Sequence, residues 1–373
     1  MARVLVVDDE RKLRRAFVLF LREDNHETES AASLDEAIAA IEQGDKEDKP
    51  YDVVVTDALP EQGGVSRMRT VGERWPEIEL ILATDERALE GAISAVRGGA
   101  HSYLSKPVTA NKLRRAVASA AEFKAERETE RRQLREREAQ RGELLRQIEA
   151  LALENEELCL QLADFGIDRA PAPLPKTEPE PEPEEDLELD EELDPEGGAL
   201  PASAKRILVV DDERTLRRVF SMFLSDDGLD VETADDVEQG IAALERNAAA
   251  GTPFSVVVSD ISMPGRNGTA LMKEVAARWP EIKLIVVTGE PTVETAALAV
   301  TTRAYEYMYK PVSSWLIRKV VANALTAKAA EDERRQHVVK VREELAALEQ
   351  RLEARTREQA ELRAMLEQAR AQG

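Results

Sequence analysis

The sequence predicts an α/β protein built twice: two doubly wound domains, each with a five-stranded parallel sheet, and each extended by a long α-helical coiled coil. Three observations predict it. RVLVVDDERKLRRAFVLFL (Arg3–Leu21) returns as RILVVDDERTLRRVFSMFL (Arg206–Leu224), an offset of 203. Each copy alternates short apolar runs with segments of helical period, as βα units do. Each copy then continues into a charged stretch with apolar residues at heptad spacing.

In the second copy the runs RILVV, LDVETA, FSVVVS, KLIVV and YEYMY read as five strands. They carry Val, Ile and Leu on both pleat faces, which suits a parallel sheet covered by helices on both sides. The segment DVEQGIAALERNAAA (Asp236–Ala250) has helical spacing between two of them. The copies fall out of step once. VVVTDALPEQGG (Val53–Gly64) reaches its proline three residues after Asp57, whereas VVVSDISMPGRNG (Val256–Gly268) takes four after Asp260. From there the offset is 204: ELILATD (Glu79–Asp85) matches KLIVVTG (Lys283–Gly289), and YLSKPV (Tyr103–Val108) matches YMYKPV (Tyr307–Val312).

The first heptad stretch places Leu113, Ala120, Arg127, Leu134, Arg141, Ile148, Asn155 and Leu162 at a. Its d positions are Ala116, Phe123, Glu130, Arg137, Leu144, Leu151, Leu158 and Phe165. The second keeps the register with Val338, Leu345, Leu352, Gln359 and Leu366 at a, and Val341, Leu348, Arg355 and Leu362 at d. Such a seam predicts a coiled coil, the alternative being a solvated single helix. Core charges oppose self-pairing, because Arg127, Glu130 and Arg141 would each meet their own copies. Pairing the first stretch with the second, parallel and in register, matches Arg127 with Glu331 and Glu130 with Arg334. It also sets Arg141 against Leu345, Leu151 against Arg355, and Asn155 against Gln359. The pairing is open to two forms, within the chain or as a homodimer. Between the copies, Glu178–Glu196 holds about a dozen acids and no base among repeated prolines. That composition predicts an extended linker, with an acidic docking tail as the alternative.

Bulk composition narrows the function classes. Acidic residues number 74 against 51 basic, a net charge of −23, which argues against nucleic acid as the main partner. No apolar run approaches the ~18–20 residues that span a bilayer, so no membrane segment is expected. The lone cysteine, Cys159, cannot form an internal disulfide, and a cytoplasmic location follows as the expectation.

The chemistry-bearing residues stand at strand ends. Paired acids close the first strand and a third acid closes the third, so three carboxylates meet at one sheet edge, with parallel neighbours ~5 Å apart. Anions that close need a cation, and hard oxygen ligands suit Mg²⁺. A hydroxyl after the fourth strand and a lysine after the fifth complete a pocket for a phosphoryl group. One such residue could be an ordinary strand-end Asp or turn; five in strand order, twice, point to a site.

This set resembles the receiver domain of bacterial response regulators, the chemotaxis-type fold, over roughly residues 2–123 and 205–327. The resemblance implies a sheet order of 2-1-3-4-5, Mg²⁺ as cofactor, and a histidine kinase or phosphotransfer protein as phosphodonor. In the second copy it implies Asp211 and Asp212 as the acidic pair and Asp260 as phosphoacceptor. Ser262 would offer its backbone carbonyl to the metal, Thr288 is the switch hydroxyl, Lys310 binds phosphate and Tyr307 is the switch aromatic. Asp8, Asp9, Asp57, Thr84, Lys106 and Tyr103 match in the first copy. The residue lost after Asp57 falls in the loop that presents that carbonyl, and Asp85 stands where the second copy has Gly289. An added carboxylate there repels an incoming anion, so the first receiver is expected to be impaired.

The implied organisation is receiver 1 at 1–123, coil 1 at 124–166, an acidic linker at 167–204, receiver 2 at 205–327 and coil 2 at 328–373. No DNA-binding output domain fits in what remains. The expected function is that of a non-enzymatic regulator, phosphorylated on Asp260 and signalling to a downstream protein through its receiver faces and coils. The alternative is a phosphorylation-independent scaffold that uses receiver folds for docking. His337 lacks the pattern of a kinase histidine box and reads as a solvated coil residue. His26 and His101 lack partners at metal-ligand spacing, and Cys159, at an e position, reads as packing.

Overall fold

The structure, a computed structural model, describes all residues except 58–70, 73, 86–92, 94, 98, 170–204, 264–266 and 373, and only the backbone of Asp85. The first copy contains β1 (Arg3–Val7), α1 (Arg11–Arg22), β2 (Glu27–Ala31), α2 (Leu34–Lys46), β3 (Val53–Thr56), β4 (Glu79–Asp85) and β5 (Ser102–Lys106). It runs into the long helix α3 (Ala110–Ala163). The second contains β6 (Arg206–Val210), α4 (Arg214–Asp226), β7 (Asp230–Ala234), α5 (Val237–Ala249), β8 (Val256–Asp260) and α6 (Gly268–Arg278). There follow β9 (Lys283–Thr288), α7 (Val293–Thr301), β10 (Glu306–Tyr309) and the long helix α8 (Ser314–Gln372).

Each copy folds its strands into one parallel sheet, β2-β1-β3-β4-β5 in the first and β7-β6-β8-β9-β10 in the second. The β-branched runs explain why both faces are covered. Val4 and Val6 point into one apolar cluster with Phe17, Leu21 and Val117, while Leu5 and Val7 point into another with Ile41 and Tyr51. Ile207 and Val209 are likewise separated from Leu208 and Val210. Helix starts follow their capping chemistry: Ser33 accepts from the Glu36 amide at α2, Asp236 from the Gln239 amide at α5, and Thr292 and Thr295 form a reciprocal box at α7.

The described residues of 1–127 and 205–331 form one compact unit, and those of 128–169 and 332–372 form another. In the second unit, Leu144 and Ile148 of α3 pack with Val341, Leu345 and Leu348 of α8. Farther along, Cys159 and Leu162 pack with Leu362 and Leu366. Partners advance together along both helices, as in Arg141–Glu344 and Arg363–Glu154, so the helices run parallel near the expected register.

Several expected side-chain partners differ. Arg127 bonds Glu79 on β4 (3.3 Å), and Glu331 pairs with Lys283 on β9, so each turns to an opposite charge on its own sheet rather than to the other. Glu130 and Arg334 form no ion pair with each other among the described residues, and Arg141 pairs with Glu344 beside Leu345. Asn155 does not meet the Gln359 amide. Its Nδ2 donates to the Arg355 carbonyl (3.3 Å) and to Glu358 (3.2 Å), while Gln359 donates to Glu154. The reason is a rotation of the seam. On α8 the d positions Val341, Leu348, Arg355 and Leu362 stay buried at heptad spacing. On α3 the buried positions are Leu144, Ile148, Ala152, Asn155, Cys159 and Leu162, so e replaces d after Leu144, Leu151 and Leu158 are only half-buried, and the stretch averages the ~3.6-residue period of a straight helix.

Candidate functional site

Strand register brings the acids together. Val210 pairs with Ser259, so the next residues, Asp211 and Asp260, stand side by side at the carboxyl ends of β6 and β8. Carboxylate oxygens of Asp211, Asp212 and Asp260 lie within 4.8 Å of one another, a donor set of hard oxygens that fits Mg²⁺. Lys310, just past β10, bridges two of them, with Nζ 2.7 Å from Asp211 Oδ2 and 2.7 Å from Asp260 Oδ2. Burial pushes the Asp211 carboxyl above its usual range, although its bonds to Lys310 and the Glu213 amide pull the other way. Burial would also lower the Lys310 ammonium, but the hydrogen bonds it donates to both aspartates, with their charge, outweigh it and raise it above the ordinary lysine value. A raised lysine keeps its stabilising charge until pH climbs past that value, so the cation is in place at neutral pH.

The hydroxyl and the aromatic are tied into the same edge. Thr288 is fully buried at the end of β9, 3.2 Å from the Ser262 hydroxyl, and its Oγ1 accepts from the Glu290 amide at 3.2 Å. The Ser262 amide donates to Asp260 Oδ1 at 2.9 Å. Ser262 therefore links the phosphoacceptor candidate to the candidate switch hydroxyl through its own amide and side chain, a contact beyond the carbonyl expected from sequence. Tyr307 is already fully buried, with its hydroxyl 2.7 Å from Thr295 Oγ1 on α7. Burial raises its phenol above the usual range. Two further supports were not anticipated. Arg217 donates to the Asp211 carbonyl, and Gly268 opens α6 so close to β8 that a Cβ would lie 2.1 Å from the Asp260 carbonyl oxygen.

The first copy assembles the same constellation. Asp8, Asp9 and Asp57 bring carboxylate oxygens within 4.8 Å, and Lys106 Nζ sits 2.7 Å from Asp8 Oδ2 and 2.6 Å from Asp57 Oδ2. Hydrogen bonds donated to those aspartates again overcome burial and raise the Lys106 ammonium. Thr84 and Tyr103 are buried at the matching strand positions. The Asp57 side chain is 16% exposed against 4% for Asp260, so its surroundings are more open. The shortened loop, with Ala58, Leu59 and Pro60, and the Asp85 side chain lie outside the described residues. In sequence, Gly91 stands at the position of Thr295 and supplies no hydroxyl.

The remaining candidates stay outside chemistry. Half-buried His101 lies between Glu79 (3.2 Å) and Ser119 (3.0 Å), His26 accepts from the Ala2 amide, and exposed His337 meets Glu138 at 2.9 Å. Cys159 is buried, and burial raises its thiol above the usual range.

Two such sites on two such sheets define a signalling module of known type. The family profile for the response regulator receiver domain matches residues 4–118 and 207–322, more than half of the chain, and the chain belongs to that family. It carries tandem receiver domains of the two-component system. Among relatives, the transcriptional regulatory protein AruR of Pseudomonas aeruginosa is 32% identical over 123 residues, covering 33% of this chain and 49% of the relative. The C4-dicarboxylate transport transcriptional regulatory protein DctD of Rhizobium meliloti is 30% identical over 113 residues, 30% of this chain and 24% of the relative. The chain therefore spans half or less of these relatives. A receiver domain from Clostridium thermocellum is 31% identical, covering 33% of this chain and 95% of that structure, at a TM-score of 0.31. Among the described residues, no helix is long and apolar enough to cross a membrane.

Proposed function

We propose that this chain is a phosphorylation-dependent regulator whose principal phosphoacceptor is Asp260, and whose output is protein–protein contact. The observation that carries the reading is Lys310 bridging Asp211 and Asp260 while the Thr288 hydroxyl stands on Ser262 beside them. We divide the chain as receiver 1 (1–123), coil 1 (124–166), linker (167–204), receiver 2 (205–327) and coil 2 (328–373), and assign it to the cytoplasm.

The donor is a phosphohistidine on a kinase or phosphotransfer protein. An Asp260 carboxylate oxygen attacks the phosphorus; the new P–O bond forms as the P–N bond breaks, and the electron pair leaves with the donor imidazole. Asp211, Asp212, Asp260 and the Ser262 carbonyl would hold Mg²⁺, which when bound neutralises charge on the phosphoryl oxygens. Lys310 orients and neutralises the same oxygens from the other side. Thr288 then exchanges its Ser262 partner for a phosphoryl oxygen. Because Tyr307 is already inside, the signal in this reading passes through that hydroxyl exchange and α7, not through an inward swing of the ring.

Receiver 1 is read differently. Its loop, Ala58-Leu59, supplies no hydroxyl to restrain Thr84, and Asp85 adds a carboxylate where phosphate would enter. It serves as a docking module that takes up phosphate poorly. The coils pair within the chain, α3 on α8.

Incubation with acetyl phosphate and Mg²⁺ followed by intact-mass measurement tests the ranking. The wild type should gain a labile ~80 Da adduct. Asp260→Ala should remove most of it, Asp57→Ala should leave most of it, and chelating Mg²⁺ should abolish it. Loss on Asp57→Ala with retention on Asp260→Ala would reverse the assignment.

A further inference from the structure

In the proposed reading the signal leaves Thr288 through α7 and Tyr307 of β10, and part of this face of receiver 2 is covered. Helix α7 packs against β5 of receiver 1. Buried side chains of both receivers, among them Val96 and Tyr103 on one side and Ala299 and Tyr307 on the other, belong to one hydrophobic cluster. We infer that receiver 1 is the target of receiver 2 within the same chain: it is the surface on which the state of Asp260 is read. The inference rests on Asp260 being the phosphoacceptor.

The connection can be followed atom by atom. Glu306 Oε1 accepts from the Tyr307 backbone amide at 3.0 Å and from Arg97 Nε of receiver 1 at 2.8 Å. One carboxylate oxygen thus holds the switch residue and the partner domain together. The Tyr307 hydroxyl is bonded to Thr295 on α7, the helix that touches β5. At the turn after α7, the Arg303 guanidinium lies 3.5 Å from the Phe123 ring centroid and 3.4 Å from His101 Nδ1, both in receiver 1. A displacement of Tyr307 or α7 therefore strains contacts made by receiver 1 side chains. A cavity of about 320 Å³, lined by Phe123, Trp279 and Arg303 among others, leaves this junction room to repack.

The aligned sequences say which partner the face fits. At the offset of 204, Arg97 corresponds to Thr301, Gly99 to Arg303, Ser102 to Glu306 and Phe123 to Ala327. Each of these contacts takes one residue from each copy. Two copies of receiver 2 would oppose Glu306 to Thr301, and two copies of receiver 1 would oppose Arg97 to Ser102. The surface is complementary between the copies and not self-complementary.

The test uses the full chain carrying Asp57→Asn, so that beryllofluoride with Mg²⁺, a mimic of the acyl phosphate, occupies receiver 2 alone. Hydrogen exchange is followed by mass spectrometry at concentrations where light scattering reports a monomer. Addition should change exchange in receiver 2 peptides spanning 283–288 and 293–301. It should also change exchange in receiver 1 peptides spanning 102–106 and 119–127 by about fivefold or more, the lower end of ordinary coupling between sites. Arg97→Ala should preserve the receiver 2 response and abolish that of receiver 1, and Arg97→Lys should restore part of it. A receiver 2 response with receiver 1 unchanged would overturn the inference while leaving Asp260 as phosphoacceptor. A receiver 1 response seen only in dimers would move the target to a second copy and overturn it equally. Silence in the receiver 2 peptides would remove the Asp260 reading, and this inference with it.

Discussion

Gly268 has no side chain because the main chain of β8 occupies the place where one would go. A Cβ there would stand 2.1 Å from the Asp260 carbonyl oxygen and 2.7 Å from the Ile261 Cα, and neither backbone atom can step aside. Gly268→Ala should destabilise receiver 2 by at least about 2 kcal/mol, read as a shift of its urea midpoint. An unchanged midpoint would mean that the loop gives more easily than this packing allows. Ser262→Ala separates positioning from chemistry. It frees Thr288 without touching the Asp211–Lys310–Asp260 bonds, so adduct formation should stay within a few-fold of wild type, whereas Lys310→Ala should lose most of it. Much of this site was legible because its residues recur: Asp211, Asp260, Thr288 and Lys310 each have a counterpart in strand order. Thr295 and the Ser262 hydroxyl were not legible. Gly91 and the shortened loop erase them from the repeat, and only three-dimensional contact shows what they hold.

At the level of elements, the helical seam shows both the reach of periodicity and its limit. Heptad counting placed Leu144, Ile148, Leu162, Leu345 and Leu366 correctly in the interior. It left Ala152 outside the seam and put Cys159, rightly read as packing, at e; on α3 a straight helix drifts ~20° per heptad away from a strict 3.5-residue repeat, carrying e inward. It paired Arg127 with Glu331 because sequence alone did not reveal that Glu79 and Lys283 lie closer to hand. Leu162→Ala should cost the second unit about 2–5 kcal/mol, while Leu160→Ala, on an exposed position of the same turn, should fall within about 0.5. Helical melting followed by circular dichroism distinguishes them. Asn155 is fully buried, and its Oδ1 has no partner among the described residues. Asn155→Leu should therefore raise the melting temperature yet broaden the single species seen by native mass spectrometry, since a buried amide fixes register at a cost in stability. A lower melting temperature would show that the amide's bonds to Arg355 and Glu358 matter more than its unpaired oxygen.

For the whole molecule, two copies of one fold play unequal parts in phosphate uptake in the proposed reading. That difference traces to one loop residue and to Asp85 in place of Gly289. Inserting Ser after Ala58 together with Asp85→Gly should raise Mg²⁺-dependent phosphate uptake on Asp57 toward that of Asp260, measured by intact mass in an Asp260→Ala chain. If the repaired receiver takes up no more than its parent, the defect lies elsewhere.

The complementary junction also bears on how the tandem is inherited. A deletion joining Arg3–Leu21 to Arg206–Leu224 in register would excise one repeat, along with the first coil and the linker. The survivor would keep Asp211, Asp260 and Lys310 and could still take up phosphate. It would also keep Glu306 and Arg303 while losing Arg97 and Phe123, leaving an acid and a guanidinium on a face with nothing to receive them. If receiver 1 is the surface that reads Asp260, divergence at those aligned positions acts as a ratchet: losing one copy would leave the other able to take up phosphate but without its reader.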